Sequence, residues 1–287
     1  VIAAVNLGIY SVTMPKCPPQ NKIQEKQSFF KLLGLDAFKL FADRKMALFF
    51  VFSMFLGAAL QLTNAYGDVF LSEFEKFPKY ADSIMVKYST IVMSVSQISE
   101  TVFILAIPFF LKRFGIKKVM LISMFAWVLR FGFLSFGNPA EGFWLIILSC
   151  IVYGMAFDFF NVSGSMFVDT TVEKKYRSSG QGIFMMLTNG FGAILGSLVS
   201  GWAIDKFFML KFTKATELAT YLDTTSENAV FQAFLKSQNI TVDTNELSQT
   251  IFFKDWSAIW LTFAIYALII AILFAIFFKY KHIREEV

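Results

Sequence analysis

Long apolar runs alternate with short polar connections along most of this chain. They extend from about Met46 to Leu71, Ile84 to Leu111, Val119 to Phe136, Phe143 to Val168, Gly182 to Ile204 and Trp256 to Phe278. Each is near the roughly 17 to 25 residues that a helix needs to cross a bilayer. The pattern predicts an all-α, polytopic membrane protein with six complete transmembrane helices. Val1 to Met14 is also apolar, but it lacks an initiator methionine and a basic leader and runs straight into PKCPPQNK. It reads as the cut end of a further span, not as a signal peptide.

The connections are uneven. Residues 15–45 form a polar linker that includes FFKLLGLDAFKLF, an amphipathic segment suited to a membrane surface. Residues 206–254 form a long Thr- and Asn-rich segment in which Val230, Phe231, Phe234 and Leu235 keep a helical rhythm. This rhythm predicts either a short helix packed on the mouth of the bundle or a mobile loop.

Three of the apolar runs each carry a polar pair at a spacing of three: Gln61 with Asn64, Gln97 with Glu100, and Asp158 with Asn161. Residues three apart share a helix face, so each pair projects one compact set of hydrogen-bonding groups. Amides can join membrane helices, and one alone would be read that way. Several on neighbouring runs, beside a carboxylate, point instead to a shared polar cavity, because each amide both donates and accepts.

Composition sharpens the contrast. Hydrophobic residues make up 56% of the chain, with 37 Phe, and charged residues only 16%, against about a quarter in soluble proteins. A carboxylate at mid-bilayer is unfavourable by roughly 2.5 to 3.5 kcal/mol on insertion scales, so Glu100 and Asp158 are expected to face a cavity. Both are then candidate proton carriers. The alternative is a carboxyl paired with Arg130, the basic residue inside a span, holding two helices together. Tyr153 and Phe157 are four apart and adjoin Asp158, so one helix offers a stacking face beside a polar group. Gly192, Gly196 and Gly201 are read as positions of close helix packing.

Charge gives an orientation. The basic residues from Lys16 to Lys45, Lys112 to Lys118, Lys174 to Arg177 and Lys279 to Arg284 fall on one side. They are about twice as numerous as those on the other side, which makes theirs the cytoplasmic side and places the C-terminus inside. The net charge of +5 follows from this topology, and no nucleic-acid partner is inferred from it. Cys17 and Cys150 are expected to be free, and His282 has no neighbours that would make a metal site. No cofactor is expected, and the lipid bilayer is the evident partner.

LLGLDAFKLF, FSMFLGAALQLTN, IVMSVSQISETVFILAIPFFLKRFGIKKVM, IVYGMAFDFFNVSGSMFV and FMMLTNGFGAILGS closely resemble the C-terminal half of the bacterial nucleoside:proton symporters, a family within the major facilitator superfamily. The resemblance implies twelve helices in two bundles of six. This chain would supply the end of the sixth helix (1–14), the central cytoplasmic loop (15–45) and the C-terminal six-helix bundle (46–287) with a long external loop at 206–254, and would need the N-terminal half as partner. It further implies a secondary transporter of the bacterial inner membrane, not an enzyme, importing nucleosides by proton symport through alternating access. Gln61, Asn64, Gln97, Glu100, Tyr153, Phe157 and Asp158 match motif positions that line the nucleoside site, and Glu100 or Asp158 would carry the proton. The stretch KRFGIKK resembles the superfamily's cytoplasmic gating motif without its acidic residue. The residues leave two other classes open: an intramembrane aspartyl protease using Asp68 and Asp158, although the expected glycine-framed motif is missing, and a seven-span receptor.

Overall fold

The computed structural model of the chain describes residues 2–13, 35–80 and 83–280. Cys17, His282 and most of the 15–45 linker lie outside the described residues. The chain divides into two compact units, Val1–Asp36 and Ala37–Val287. In the first, α1 covers Ile2–Thr13.

The second unit is built on long helices. A 3₁₀ turn over Leu35–Ala42 leads to Asp43, whose side chain accepts from the Lys45 N–H and caps α2 (Arg44–Glu73). The run predicted from Ile84 is interrupted at Tyr88. It forms a single turn, α3 (Ile84–Lys87), and then α4 (Ser89–Phe114). Gly115, with φ 74°, ends α4 in the left-handed conformation glycine favours. There follow α5 (Ile116–Phe136) and α6 (Phe143–Thr171). The run around Gly182 becomes α7 (Arg177–Met185), one π-helical stretch (Met186–Phe191) and α8 (Gly192–Phe207). Finally, Asp255 caps α11 (Trp256–Phe277) through the Ala258 N–H. Six spans among the described residues are long and apolar enough to cross a membrane.

Packing decides the arrangement. α6 lies between α4 and α5, α5 also packs on α11, and α2 contacts α11, α4 and α8. The core is aromatic: Phe49, Phe50, Phe70, Trp127, Phe131, Phe159, Phe160, Phe167 and Trp260 are all fully buried. α2 and α8 meet backbone to backbone, since a Cβ on Gly192 would stand 2.5 Å from the Met54 carbonyl oxygen and one on Gly196 2.8 Å from the Ala58 Cα. The expectation for Gly201 fails. A Cβ there would meet only the Tyr66 hydroxyl, at 4.0 Å, because that turn of α8 has left the seam.

Residues 206 and 207 of the 206–254 segment end α8, and the remainder is a folded α/β subdomain. Strands β1 (Met209–Lys214), β2 (Val242–Asp243) and β3 (Glu246–Lys254) form an antiparallel sheet in the order β1-β3-β2. The β2–β3 hairpin turns on Thr244 and Asn245, both at positive φ (46° and 85°), as a tight two-residue hairpin requires. Helices α9 (Ala215–Tyr221) and α10 (Ala229–Ser237) complete it. The predicted helical rhythm is α10, with Phe231 and Leu235 buried in a second apolar core with Leu218, Leu222 and Phe253. The sheet was not anticipated, because the short strands carry Lys and Thr on their outer face and show period two over only a few residues.

This subdomain sits on the turn that follows α2. Phe77 packs against Tyr221 (ring centroids 5.5 Å apart) and Phe253 (5.9 Å), and Lys79 donates to Asp223 at 2.9 Å. That hydrogen bond holds the Lys79 ammonium above the usual lysine range. The link is therefore intact at neutral pH and is lost only as pH rises beyond that range. Burial pushes the Tyr221 phenol up to about 12, so it stays neutral within its aromatic cluster. Phe77→Ala should loosen the subdomain by about 2 kcal/mol while the helical bundle stays folded. Limited proteolysis within 206–254 should quicken, with little change in the main thermal transition in detergent.

Candidate functional site

Helix periodicity puts Gln61, Asn64 and Asp68 on one side of α2, Gln97 with Glu100 on α4, and Tyr153 with Phe157 on α6. What brings α4 to α6 is Gly154. A Cβ on it would stand 2.5 Å from the Ser99 carbonyl carbon and 2.6 Å from the Glu100 nitrogen, so only glycine lets the Glu100 backbone lie beside the turn that carries Tyr153. The Ser99 hydroxyl donates to the Ile151 carbonyl across the same seam.

A polar cavity of about 170 Å³ is lined by Thr63, Asn64 and Asp68 of α2, Met93, Ser96 and Gln97 of α4, Arg130 of α5 and Tyr153 of α6. Three predicted residues, Asn64, Gln97 and Tyr153, thus meet from three helices. Its volume falls below the ~300–1,000 Å³ usual for small-molecule sites, and Asn64 and Gln97 are exposed, so these residues form a wall. Glu100, half-buried, interacts electrostatically with Tyr153, Arg130 and Asp158. Phe157 lies parallel to Tyr153 (4° between planes, centroids 6.2 Å apart) and lines a narrow crevice with Trp127, Asn161 and Thr188. Gln61 is half-buried on α2, one turn before Asn64, and is not among the lining residues.

Asp158 is buried at 7% exposure, and its Oδ2 has no hydrogen-bond partner. Asn161 Oδ1 is likewise unpartnered. Unsatisfied buried acceptors are rare in folded proteins and mark places where a ligand, a water or a proton belongs. The two acids of the protease reading do not share the cavity: Asp68 lines it and Asp158 does not.

Arg130 corrects an expectation. The alternative reading pairs it with Glu100 or Asp158, yet among the described residues no carboxylate oxygen comes within 4.0 Å of it. Its Nε donates to Thr63 Oγ1 (3.3 Å), its Nη1 to the Ser149 carbonyl (2.9 Å), and its guanidinium carbon lies 4.1 Å from the Tyr153 ring centroid. A planar, weakly hydrated guanidinium can be satisfied by a carbonyl, a hydroxyl and a π face together. Larger grooves exist elsewhere, including one of about 410 Å³ between α2, α8 and α11. Its lining is almost all hydrocarbon, which leaves a polar solute little to bind. Sequence reasoning overlooked Thr63, Met93, Ser96 and the cavity role of Asp68. Asp68 alone carried a signal, as the next polar residue on the Gln61–Asn64 face.

The model of the family described as "Nucleoside H+ symporter" matches residues 1–283. The chain is 46% identical over 286 residues to the xanthosine permease of Escherichia coli (strain K12), covering 99% of this chain and 58% of the relative. It is 45% identical over 279 residues to the nucleoside permease NupG of the same organism, covering 97% and 57%. It thus spans a little under three fifths of the length of these relatives. Two crystal structures of the nucleoside transporter NupG are similar at 44% identity. One, of a D323A mutant, has a TM-score of 0.70 over 96% of this chain and 58% of that one; the other has 0.67 over 97% and 58%.

Proposed function

Because the chain belongs to the nucleoside H+ symporter family, whose members are transporters and not enzymes, we propose that it serves the import of nucleosides driven by a proton gradient. The observation that carries this reading is the convergence of Asn64, Gln97 and Tyr153 on one open polar cavity, walled by helices long and apolar enough to cross a membrane. Amides on two helices can hold ribose hydroxyls and ring nitrogens. The Tyr153 and Phe157 rings supply a flat apolar surface for a base. In this reading Asn64, Gln97 and Tyr153 contact the substrate from the cavity wall, Gln61, Glu100, Phe157 and Asp158 are further contacts beside that wall, and Glu100 and Asp158 are the proton carriers.

The mechanism is alternating access around a midplane site. A proton taken up by Glu100 or Asp158 from the outside removes one charge from the loaded cavity before it passes through apolar surroundings. Its release inside resets the carrier. Residues 1–14 are assigned to the end of a sixth helix, 15–45 to a cytoplasmic loop between two halves and 46–287 to the C-terminal bundle, with its C-terminus in the cytoplasm and the 206–254 subdomain outside. The basic side of the chain supports that orientation.

The test is uptake of radiolabelled uridine or adenosine by the full-length protein in proteoliposomes with an imposed pH gradient. Accumulation should vanish when a protonophore collapses the gradient. Gln97→Ala should raise KM about tenfold, the worth of one well-placed hydrogen bond to substrate, with the maximal rate changed much less. Uptake indifferent to the gradient would remove proton coupling, and an unchanged KM would remove Gln97 from the site.

A further inference from the structure

Arg130 is the residue whose position the transport reading leaves unexplained. It is 1% exposed, within the C-terminal third of α5, and insertion of a cation there is unfavourable unless it serves a polar site. It touches two other helices at the level of the cavity: α2 through Thr63, and α6 through the Ser149 carbonyl and the face of Tyr153. The charged groups that face this region are Asp68 from α2, Glu100 from α4 and, beyond Glu100, Asp158 from α6. None of them pairs with Arg130 within 4.0 Å, and the guanidinium lies over the Tyr153 ring instead.

We propose that Arg130 is the positioning residue of this site, fixing the plane of the Tyr153 ring and the separation of α2 from α6 so that Asn64 and Tyr153 meet a substrate together. The inference rests on the nucleoside reading above for the ligand, not for the geometry. Three groups bear on the Tyr153 ring: the guanidinium over its face, Trp127 in an edge-on contact with centroids 5.8 Å apart and 87° between planes, and Phe157 parallel to it at 6.2 Å. Of these only the cation also ties the ring to α2, through Thr63, so its loss lets the ring tilt against that helix. A lysine cannot replace it, because an ammonium has neither the plane to stack nor the fork to reach Thr63 and Ser149 at once.

The experiment is a double-mutant cycle in the full-length protein, with Arg130→Gln and Tyr153→Leu, read by calorimetric binding of uridine and adenosine. Arg130→Gln and Arg130→Lys should each weaken binding about tenfold to thirtyfold, the range of a desolvated cation–π contact. The double variant should bind no more than about threefold weaker than Tyr153→Leu alone, since Arg130 acts through the ring. Full affinity in Arg130→Lys, or effects that multiply in the double variant, would overturn the proposal. Thr63→Val, a milder change, should weaken binding about threefold and keeps the test open if the arginine variants do not fold. The same cycle read by thermal unfolding without ligand detects Arg130–Tyr153 coupling whether or not nucleosides bind. Wild-type protein that binds no nucleoside would therefore sink the transport reading alone, whereas additive thermal effects would sink the role of Arg130.

Discussion

Glu100→Gln is expected to abolish gradient-driven accumulation of nucleoside while leaving exchange of nucleoside across the membrane largely intact. The amide keeps the shape of the carboxyl and its capacity to hydrogen-bond, but it cannot take up or release a proton. Glu100 is half-buried and lies within electrostatic reach of Tyr153, Arg130 and Asp158, so its charge is felt throughout the cavity. The free-energy scale is that of the lost proton, about 2.7 kcal/mol for an imposed gradient of roughly two pH units. That corresponds to a fall of about 100-fold or more in accumulation, with exchange reduced no more than about tenfold. Asp158→Asn is the matched comparison, because Asp158 has a buried oxygen without a partner. Normal accumulation in Glu100→Gln together with loss in Asp158→Asn would transfer the proton to Asp158, and normal accumulation in both would end the assignment.

The second large effect is structural and lies at Gly57. A Cβ there would stand 1.8 Å from the carbonyl oxygen of Thr188 and 2.6 Å from its carbonyl carbon. Both are backbone atoms of the π-helical stretch, so no side-chain rotation relieves the collision. Gly57→Ala therefore has to push α2 away from the α7–α8 span along the seam that Gly192 and Gly196 also keep narrow. The expected loss is about 3 kcal/mol or more, beyond the roughly 1 kcal/mol that alanine gains in helix propensity. Gly182→Ala is the control, since a Cβ there meets nothing within 4 Å, and it should be neutral or slightly stabilising. Thermal melting in detergent, followed by size-exclusion chromatography, distinguishes the two. A Gly57→Ala protein as stable as wild type would refute the backbone-to-backbone seam.

Much of this could be read from the chain before folding. The predicted runs lie within the observed helices to a few residues, because bilayer length and hydropathy act locally and the boundaries carry local signals such as Asp43, Gly115 and Asp255. The break at Tyr88 and the π-helical stretch escaped, since both answer to packing and not to composition. In the site, the spacing of three puts each pair on one helix face. It could not say that Gln61 would stay outside the lining while Asp68 entered it, which depends on how far α2 is rotated against α4.

The spans and the polar faces follow from the order of residues along the chain, for these depend on interactions among residues a turn or a span apart. That Asn64, Gln97 and Tyr153 share a cavity, that Arg130 lies over Tyr153 and does not pair with an acid, and that residues 208–254 fold as a sheet with two helices emerge only in three dimensions. One cause underlies all three. Partners such as Thr63 and Arg130, or Phe77 and Phe253, are far apart along the chain, and their meeting is set by helix rotation and by the glycines that fix how closely backbones approach.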